Sequence, residues 1–78
     1  MRKLTEREKE KIFGYDLLDP NDIAEVKTND AGTEFVEVTY AVDENGREHK
    51  YKLVPLSREG QFLLIEGRNR KQINIFDS

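Results

Sequence analysis

Apolar and polar residues alternate through the middle of the chain, from Glu34 to Leu56, as they do in half-buried strands. The dipeptide Asn45-Gly46 interrupts this alternation and readily takes the positive φ angles of a two-residue type I′ turn. Counting outward from such a turn gives one face with the pairs Val42–His49, Tyr40–Tyr51 and Val38–Leu53. The other face has the pairs Asp43–Glu48, Ala41–Lys50 and Thr39–Lys52. The pattern therefore predicts a β-hairpin with one buried face and one charged face.

A second hairpin is predicted upstream. Residues 29–32, Asn-Asp-Ala-Gly, suit a type I turn with the glycine in the left-handed conformation. This turn makes residues 23–28 a strand that pairs with residues 33–38. A helical turn over residues 20–26 is the competing interpretation.

Two more strands are predicted near the C-terminus. Residues 61–66 form a compact apolar run, typical of a strand buried on both faces, and residues 71–76 follow a turn as the last strand. Pro55 is expected to end the pairing of the strand before this run, because proline has no N–H to donate. The facing apolar side chains are expected to be Leu63 and Ile65 against Ile73 and Ile75.

The N-terminus predicts a short helix over residues 5–13. Thr5 with Glu8 has the spacing of a capping box, in which each residue satisfies a backbone N–H of the other. Gly14 supplies a natural end to the helix. An isolated helix of this length is marginal in water, so it must dock on the strands.

These elements predict an α+β, mainly β fold within one domain over residues 1–78. A short N-terminal helix precedes about five antiparallel strands, at about 23–28, 34–43, 47–54, 61–66 and 71–76. Phe35 opposite Leu56, and Val54 opposite Glu37, would give the open end of the central hairpin apolar residues on both faces. This indicates cover on both sides and favours a small barrel-like or sandwich-like meander. An open antiparallel sheet with one helix packed on it is the alternative.

Composition limits the environment and the chemistry. The chain has no cysteine, so neither a disulfide nor a thiolate metal site can support the fold. Its first residues are charged, unlike a signal peptide, and no apolar run approaches the roughly 20 residues that span a bilayer. We expect a soluble cytoplasmic protein that makes no use of a membrane.

No catalytic arrangement is apparent. His49 is the one histidine, the serines lack the surroundings of a nucleophile, and the five glycines are scattered rather than clustered as in a phosphate-binding loop. Acidic residues recur every third position at Asp16, Asp19, Asp22 and Glu25, but this spacing does not match a calcium-binding loop. We expect no enzyme activity, no metal and no cofactor.

Charge is distributed unevenly along the chain, and this distribution carries the leading functional hypothesis. The net charge is +2 over residues 1–12, −8 over residues 13–48 and +3 over residues 49–78. At the hairpin tip, Asp43 opposite Glu48 would be a like-charge pair, which a basic partner would relieve. The candidate partner-binding residues are Glu34, Glu37, Asp43, Glu44, Glu48, Asp16, Asp19 and Asp22.

The expected function is a non-enzymatic interaction or inhibitor module that binds a basic protein. Alternate strand residues lie about 6.6–6.8 Å apart, close to the phosphate spacing of nucleic acid, so an acidic strand can mimic it. A host nucleic-acid-binding protein is therefore the expected partner. Small, charged, cysteine-free proteins of phages and mobile elements that inhibit host machinery are similar in composition.

Two alternatives use other parts of the chain. A small β-barrel could bind nucleic acid through basic residues in the C-terminal connections, namely Arg58, Arg68, Arg70 and Lys71. The overall negative charge opposes this, because affinity for nucleic acid depends on neutralising phosphates. The last strand, residues 71–76, could also complete another protein's sheet through its edge.

Overall fold

The computed structural model describes residues 2–14 and 17–76. Its elements are α1 (Glu6–Phe13), β1 (Ile23–Thr28), β2 (Glu34–Val42), β3 (Glu48–Pro55), β4 (Gln61–Glu66) and β5 (Asn69–Asn74). Each strand pairs antiparallel with the next, in the order β1-β2-β3-β4-β5. The predicted class is confirmed, and of the two predicted arrangements the open sheet with one helix forms rather than the barrel or sandwich.

The helix begins as its capping box predicts. The Thr5 hydroxyl accepts a hydrogen bond from the Glu8 N–H, and the Glu8 carboxylate accepts one from the Thr5 N–H. The helix ends at Phe13, where the Gly14 N–H donates to the Glu10 carbonyl. No helix in the described part of the chain is long and apolar enough to cross a membrane.

The first hairpin loop has the predicted turn. The Asn29 N–H donates to the Thr33 carbonyl over 3.0 Å, and the Gly32 N–H donates back to the Asn29 carbonyl over 2.9 Å. The Asn29 side chain accepts from the N–H groups of Ala31 and Thr33. Gly32 takes a φ of 81°, the left-handed conformation that glycine adopts at low cost. Residues 23–28 form β1, so the competing helical turn over residues 20–26 is wrong.

The second hairpin loop repeats this geometry and not the predicted two-residue turn. The Asp43 N–H donates to the Arg47 carbonyl over 2.9 Å, and the Gly46 N–H donates to the Asp43 carbonyl over 3.0 Å. The Asp43 carboxylate accepts from the N–H groups of Asn45 and Arg47. Gly46 has the expected positive φ, at 80°. It is, however, the last residue of a three-residue loop, residues 44–46, and its N–H closes the β-turn that begins at Asp43.

The Asp43 side chain is therefore part of the loop. Replacing Asp43 by alanine should lower the free energy of unfolding by about 1 kcal/mol, because two backbone N–H groups lose their acceptor. Urea denaturation measures this change. Glu44→Ala, in the same loop, is the control and should change it by less than about 0.5 kcal/mol. Equal effects of the two substitutions would contradict this role of Asp43.

The longer loop shifts the register of β2 and β3, so none of the eight predicted pairs forms. The observed pairs, counted from the loop, are Val42–Glu48, Ala41–His49, Thr39–Lys50, Val38–Tyr51, Glu37–Lys52 and Val36–Leu53. A β-bulge between Thr39 and Ala41 leaves Tyr40 as the extra residue. Because a bulge places two consecutive residues on one face, Val42 turns to the opposite face from the one predicted and is 62% exposed. Asp43 no longer lies opposite Glu48, so the predicted like-charge pair does not exist.

The core lies between α1 and one face of the sheet. Its buried residues are Leu4, Ile12, Leu18, Val36, Val38, Leu53, Phe62 and Ile75. Pro55 does not end the pairing of β3, because it still pairs with Phe62 and the Leu56 N–H closes the hairpin on the Gln61 carbonyl. The turn before β5 is only Gly67-Arg68, so this strand starts at Asn69 and not at residue 71.

The other face of the sheet is open. Leu63 pairs with Gln72 and Ile65 with Arg70, so the predicted contact of these apolar residues with Ile73 and Ile75 is wrong. Phe62 and Leu64 are the residues of β4 that belong to the core side. The described chain has a single helix, which leaves no second one for this face. The expectation of cover on both sides is therefore wrong.

Glu8 does more than cap α1. Its side chain is 0% exposed, and its Oε2 atom accepts hydrogen bonds from the Gly60 N–H (2.8 Å) and the Arg2 guanidinium (2.7 Å). Burial by itself would raise the pKa of Glu8, but the bonds from Arg2, Thr5 and Gly60 outweigh it and lower the pKa below its ordinary value. The buried carboxylate stays charged and ties the helix to the β3–β4 loop.

Candidate protein-binding site

Three rings form a continuous surface on the core side of the sheet, near the β2–β3 loop. The bulge directs Tyr40 to the same side as Tyr51 and His49. The Tyr40 ring lies 5.9 Å from the Tyr51 ring and 6.1 Å from the His49 ring, measured between centroids. We call Tyr40, His49 and Tyr51 the tyrosine shelf.

The shelf lies on the part of β2 and β3 beyond the buried core. The core that Ile12 of α1 shares with the sheet includes Val36 and Val38, and β2 continues past them to Val42. Tyr40 is consequently 43% exposed, and His49 is also exposed, whereas Tyr51 is partly buried against the core.

Carboxylates surround the shelf. The Tyr40 hydroxyl donates a hydrogen bond to Glu66, which lies at the end of β4. The Asp43 Oδ2 atom lies 3.6 Å from the His49 Nε2 atom. On the remaining side is the loop before β1, where the Asp19 N–H donates to the Asp22 carboxylate and the Asp22 N–H to the Asp19 carbonyl. We call Asp19, Asp22, Asp43 and Glu66 the carboxylate rim.

The rim affects the ionisation of both tyrosines. The hydrogen bond to Glu66 raises the pKa of Tyr40, with a further contribution from burial. Burial raises the pKa of Tyr51, and the charges of Asp22, Asp19 and Glu66 raise it further. Both phenols therefore stay protonated at neutral pH, and the negative charge at this end belongs to the carboxylates.

An arrangement of this kind can bind a cation. Aromatic faces attract ammonium and guanidinium groups through their quadrupoles, and carboxylates add ion pairs and charge-assisted hydrogen bonds. Arginine suits such a site best, because its planar guanidinium stacks on a ring while it donates to a carboxylate. The shelf and its rim therefore have the chemistry of a site for an arginine or lysine side chain.

Two of the predicted acidic residues are engaged within the fold. Glu34 accepts a hydrogen bond from the Leu4 N–H over 2.9 Å and holds the segment before α1. Glu37 lies on the open face, with its Oε1 atom 2.7 Å from the Lys27 Nζ and 3.4 Å from the Lys50 Nζ. Hydrogen bonding to Lys27 is the main cause of its lowered pKa. The open face thus mixes cations with carboxylates.

Five of the remaining predicted acidic residues lie toward the hairpin tip. Asp43, Asp19 and Asp22 belong to the carboxylate rim, and Glu44 is exposed in the loop. Glu48 is exposed on the open face, where its Oε1 atom lies 3.5 Å from the Lys50 Nζ. Asp16 lies outside the described residues.

The basic residues of the alternative site are spread over the sheet. Arg58 lies in the β3–β4 loop, at the opposite end of the sheet from Arg68 in the β4–β5 turn. Arg70 and Lys71 are consecutive residues of β5, so their side chains point to opposite faces. The structure therefore does not bring these four side chains together on one surface.

The end of the sheet away from the shelf has two cationic residues, Arg2 and Lys3, in the lining of a pocket. An open pocket of about 560 Å³ lies there, lined by Arg2, Lys3, Thr33, Pro55, Leu56 and Ser57. The Arg2 guanidinium is held by Glu8 and by the Arg58 carbonyl. Among residues 2–14 and 17–76, no three histidine or acidic side chains converge as metal ligands would.

Tyr40, His49, Tyr51 and Glu66 are the members of this site that the sequence pattern did not identify. Both tyrosines were expected inside the core, and Glu66 was not singled out. Comparison with known proteins finds no matching family model, no matching curated protein and no matching solved structure. The fold and the site define the chain only as a small antiparallel β protein with one helix and an acidic aromatic end.

Proposed function

We propose that this chain is a non-enzymatic interaction module that binds a basic partner protein through the tyrosine shelf and its carboxylate rim. The observation that supports this most directly is the juxtaposition of half-exposed Tyr40 with the carboxylates of Glu66 and Asp43. The proposal limits the acidic surface first considered to the part beside the exposed rings, because Glu34 holds the segment before α1 and Glu37 lies on the open face with Lys27 and Lys50.

The partner class that fits best is a protein that binds nucleic acid. Such proteins present exposed lysine and arginine side chains to phosphates, and an acidic surface can occupy the same positions. On this proposal the chain acts as an inhibitor in the cytoplasm, where a protein without cysteine needs no oxidising conditions to fold.

An arginine-rich peptide tests the shelf directly. Octa-arginine titrated into the labelled protein should shift the NMR signals of Tyr40, Tyr51 and Glu66. Tyr40→Ala should weaken binding about two- to fivefold, because it removes the central ring, whereas Tyr40→Phe should retain the affinity. Glu66→Lys should weaken binding more than Glu10→Lys, a charge-matched change on the exposed side of α1.

The matched variants distinguish binding at the tyrosine shelf from non-specific electrostatic attraction to the acidic protein. Equal affinities of Tyr40→Ala and Tyr40→Phe, together with equal effects of Glu66→Lys and Glu10→Lys, would contradict the proposed site. The partner class has its own test, in which proteins captured on the wild-type chain should be displaced by excess single-stranded DNA. If instead the chain itself retards single-stranded DNA, with steep salt dependence, it is a nucleic-acid binder and not a mimic.

A further inference from the structure

The first strand of the sheet is an exposed edge whose two charged residues, Glu25 and Lys27, have opposite signs. All residues of β1 except Ala24 are exposed, including Ile23 at 61% and Val26 at 40%. The strand is six residues long, pairs with β2 without a register shift and contains no proline. Natural edge strands usually avoid this combination, because their unpaired backbone groups can pair with another chain.

The register of β1 on β2 shows which backbone groups are unpaired. The Asn29 N–H donates to the Thr33 carbonyl, and hydrogen-bonded pairs recur at every second residue of an antiparallel ladder. Lys27–Phe35 and Glu25–Glu37 are therefore hydrogen-bonded pairs. The N–H and C=O groups of Ala24, Val26 and Thr28 point away from β2.

We propose that two copies of this chain pair antiparallel through β1, with the two-fold axis at Val26. In this register the outward groups of Val26 meet those of Val26 in the second copy, and those of Ala24 meet those of Thr28. The three pairs supply about six main-chain hydrogen bonds. The two sheets then join into one continuous sheet.

The charges on the open face favour this register over its neighbours. It sets Glu25 opposite Lys27 of the second copy, twice, at the closely spaced positions where side chains interact best. Moving the axis to Glu25 would place two glutamates opposite each other, and moving it to Lys27 would place two lysines opposite each other. Registers centred between residues are excluded, because outward groups would then face groups already bonded to β2.

Glu25 also gains from the pairing. Within one chain it lies directly opposite Glu37, and its side chain has no ion pair among the described residues. Lys27 of the second copy, whose Nζ lies 2.7 Å from the Glu37 Oε1 atom of its own chain, would give Glu25 a neighbouring cation. The other edge, β5, lacks such complementarity, because its two charged residues, Arg70 and Lys71, are both cations.

Sedimentation and hydrogen exchange test the proposal. A six-residue strand pair is small for an interface, so association should be weak and should appear over about a hundredfold range of concentration as a rise from 9.1 kDa toward twice that mass. At high concentration the amides of Val26 and Thr28 should become protected from exchange. The amides of Glu25 and Lys27 should be protected at every concentration, because they already bond to β2.

Charge variants identify the register. Glu25→Lys should weaken dimerisation about tenfold, because it sets two lysines against each other across both pairs. The double variant Glu25→Lys/Lys27→Glu should restore it and should keep an ion pair within the chain, because the lysine introduced at position 25 then faces Glu37. Glu10→Lys, with the same change in net charge, should leave dimerisation unchanged.

Three results would overturn the proposal: a monomer at all concentrations, a dimer that Glu25→Lys does not weaken, or protection that appears in β5 and not in β1. Octa-arginine binding is measured on a different surface. The outcome here is therefore independent of the proposed function.

Discussion

Replacing Glu8 by glutamine should lower the free energy of unfolding by about 3 kcal/mol. The amide nitrogen would face either the Thr5 N–H or both the Gly60 N–H and the Arg2 guanidinium, so a buried donor loses its acceptor in each orientation, and Arg2 loses its counter-charge. This is a large part of the roughly 4–12 kcal/mol expected for a domain of this size. Urea denaturation measures it as a lower midpoint with an unchanged slope.

The matched control is Glu10→Gln, on the same helix but exposed, which should change stability by less than about 0.5 kcal/mol. The pH dependence is a second check. The pKa of Glu8 is lowered in the folded state, so its contribution is complete above the ordinary value of 4.5 and is lost as the pH falls through the folded-state pKa. The difference between wild type and Glu8→Gln should therefore shrink in acid, and a difference that stays constant would contradict this role of the carboxylate.

Replacing Gly60 by alanine should lower the free energy of unfolding by about 2–4 kcal/mol. Gly60 has a φ of +85°, and an added Cβ atom would lie 2.4 Å from the Phe76 ring. The same residue donates to Glu8 and accepts from the Ile75 N–H over 2.8 Å, so a shift of its backbone would disturb both contacts. Thermal or urea unfolding provides the measurement.

Gly46→Ala separates the two causes. Gly46 has a similar φ of +80°, but no atom lies within 4 Å of the added Cβ. It should cost only the left-handed conformation, about 1–2 kcal/mol. If Gly60→Ala costs no more than Gly46→Ala, the close packing of Gly60 against Phe76 has no energetic weight.

The central hairpin shows how a local signal can mislead. Asn45-Gly46 is a strong signal for a two-residue turn, and that turn fixed every predicted pair. The four-residue patterns at 29–32 and 43–46 are the same in kind, with an Asn or Asp first and a glycine last. Both form loops in which the first side chain accepts two backbone N–H groups. Comparing the two segments would have predicted the longer loop.

The bulge at Tyr40 had no such signal. The longer loop shifts the pairing by one residue, which alone would move Val36 and Val38 from the core side to the open side. One extra residue in β2 restores their alternation relative to β3. Tyr40 stays on the core side, and Val42 turns to the open face, where a continuous strand would not place it. Packing of the core, and not local preference, decides that a bulge forms.

The site depends on how the elements pack, which the alternating pattern does not show. β2 continues beyond the residues that it contributes to the buried core, so Tyr40 is left half-exposed. Glu66 arrives beside it only because β4 pairs with β3 in a particular register. Glu8 has the signal of a helix cap, and its bond to Gly60 spans 52 residues of sequence.

Local preferences were enough to determine the helix and its cap, the five strands, the antiparallel order and the glycine positions of the hairpin loops. These depend on residues close together in the chain, whose conformational preferences act without the rest of the molecule. The register of β2 on β3, the open face, the burial of Glu8 and the exposure of Tyr40 were decided by tertiary structure. Each depends on how the elements pack against one another, and that packing is fixed only when the sheet and the helix come together.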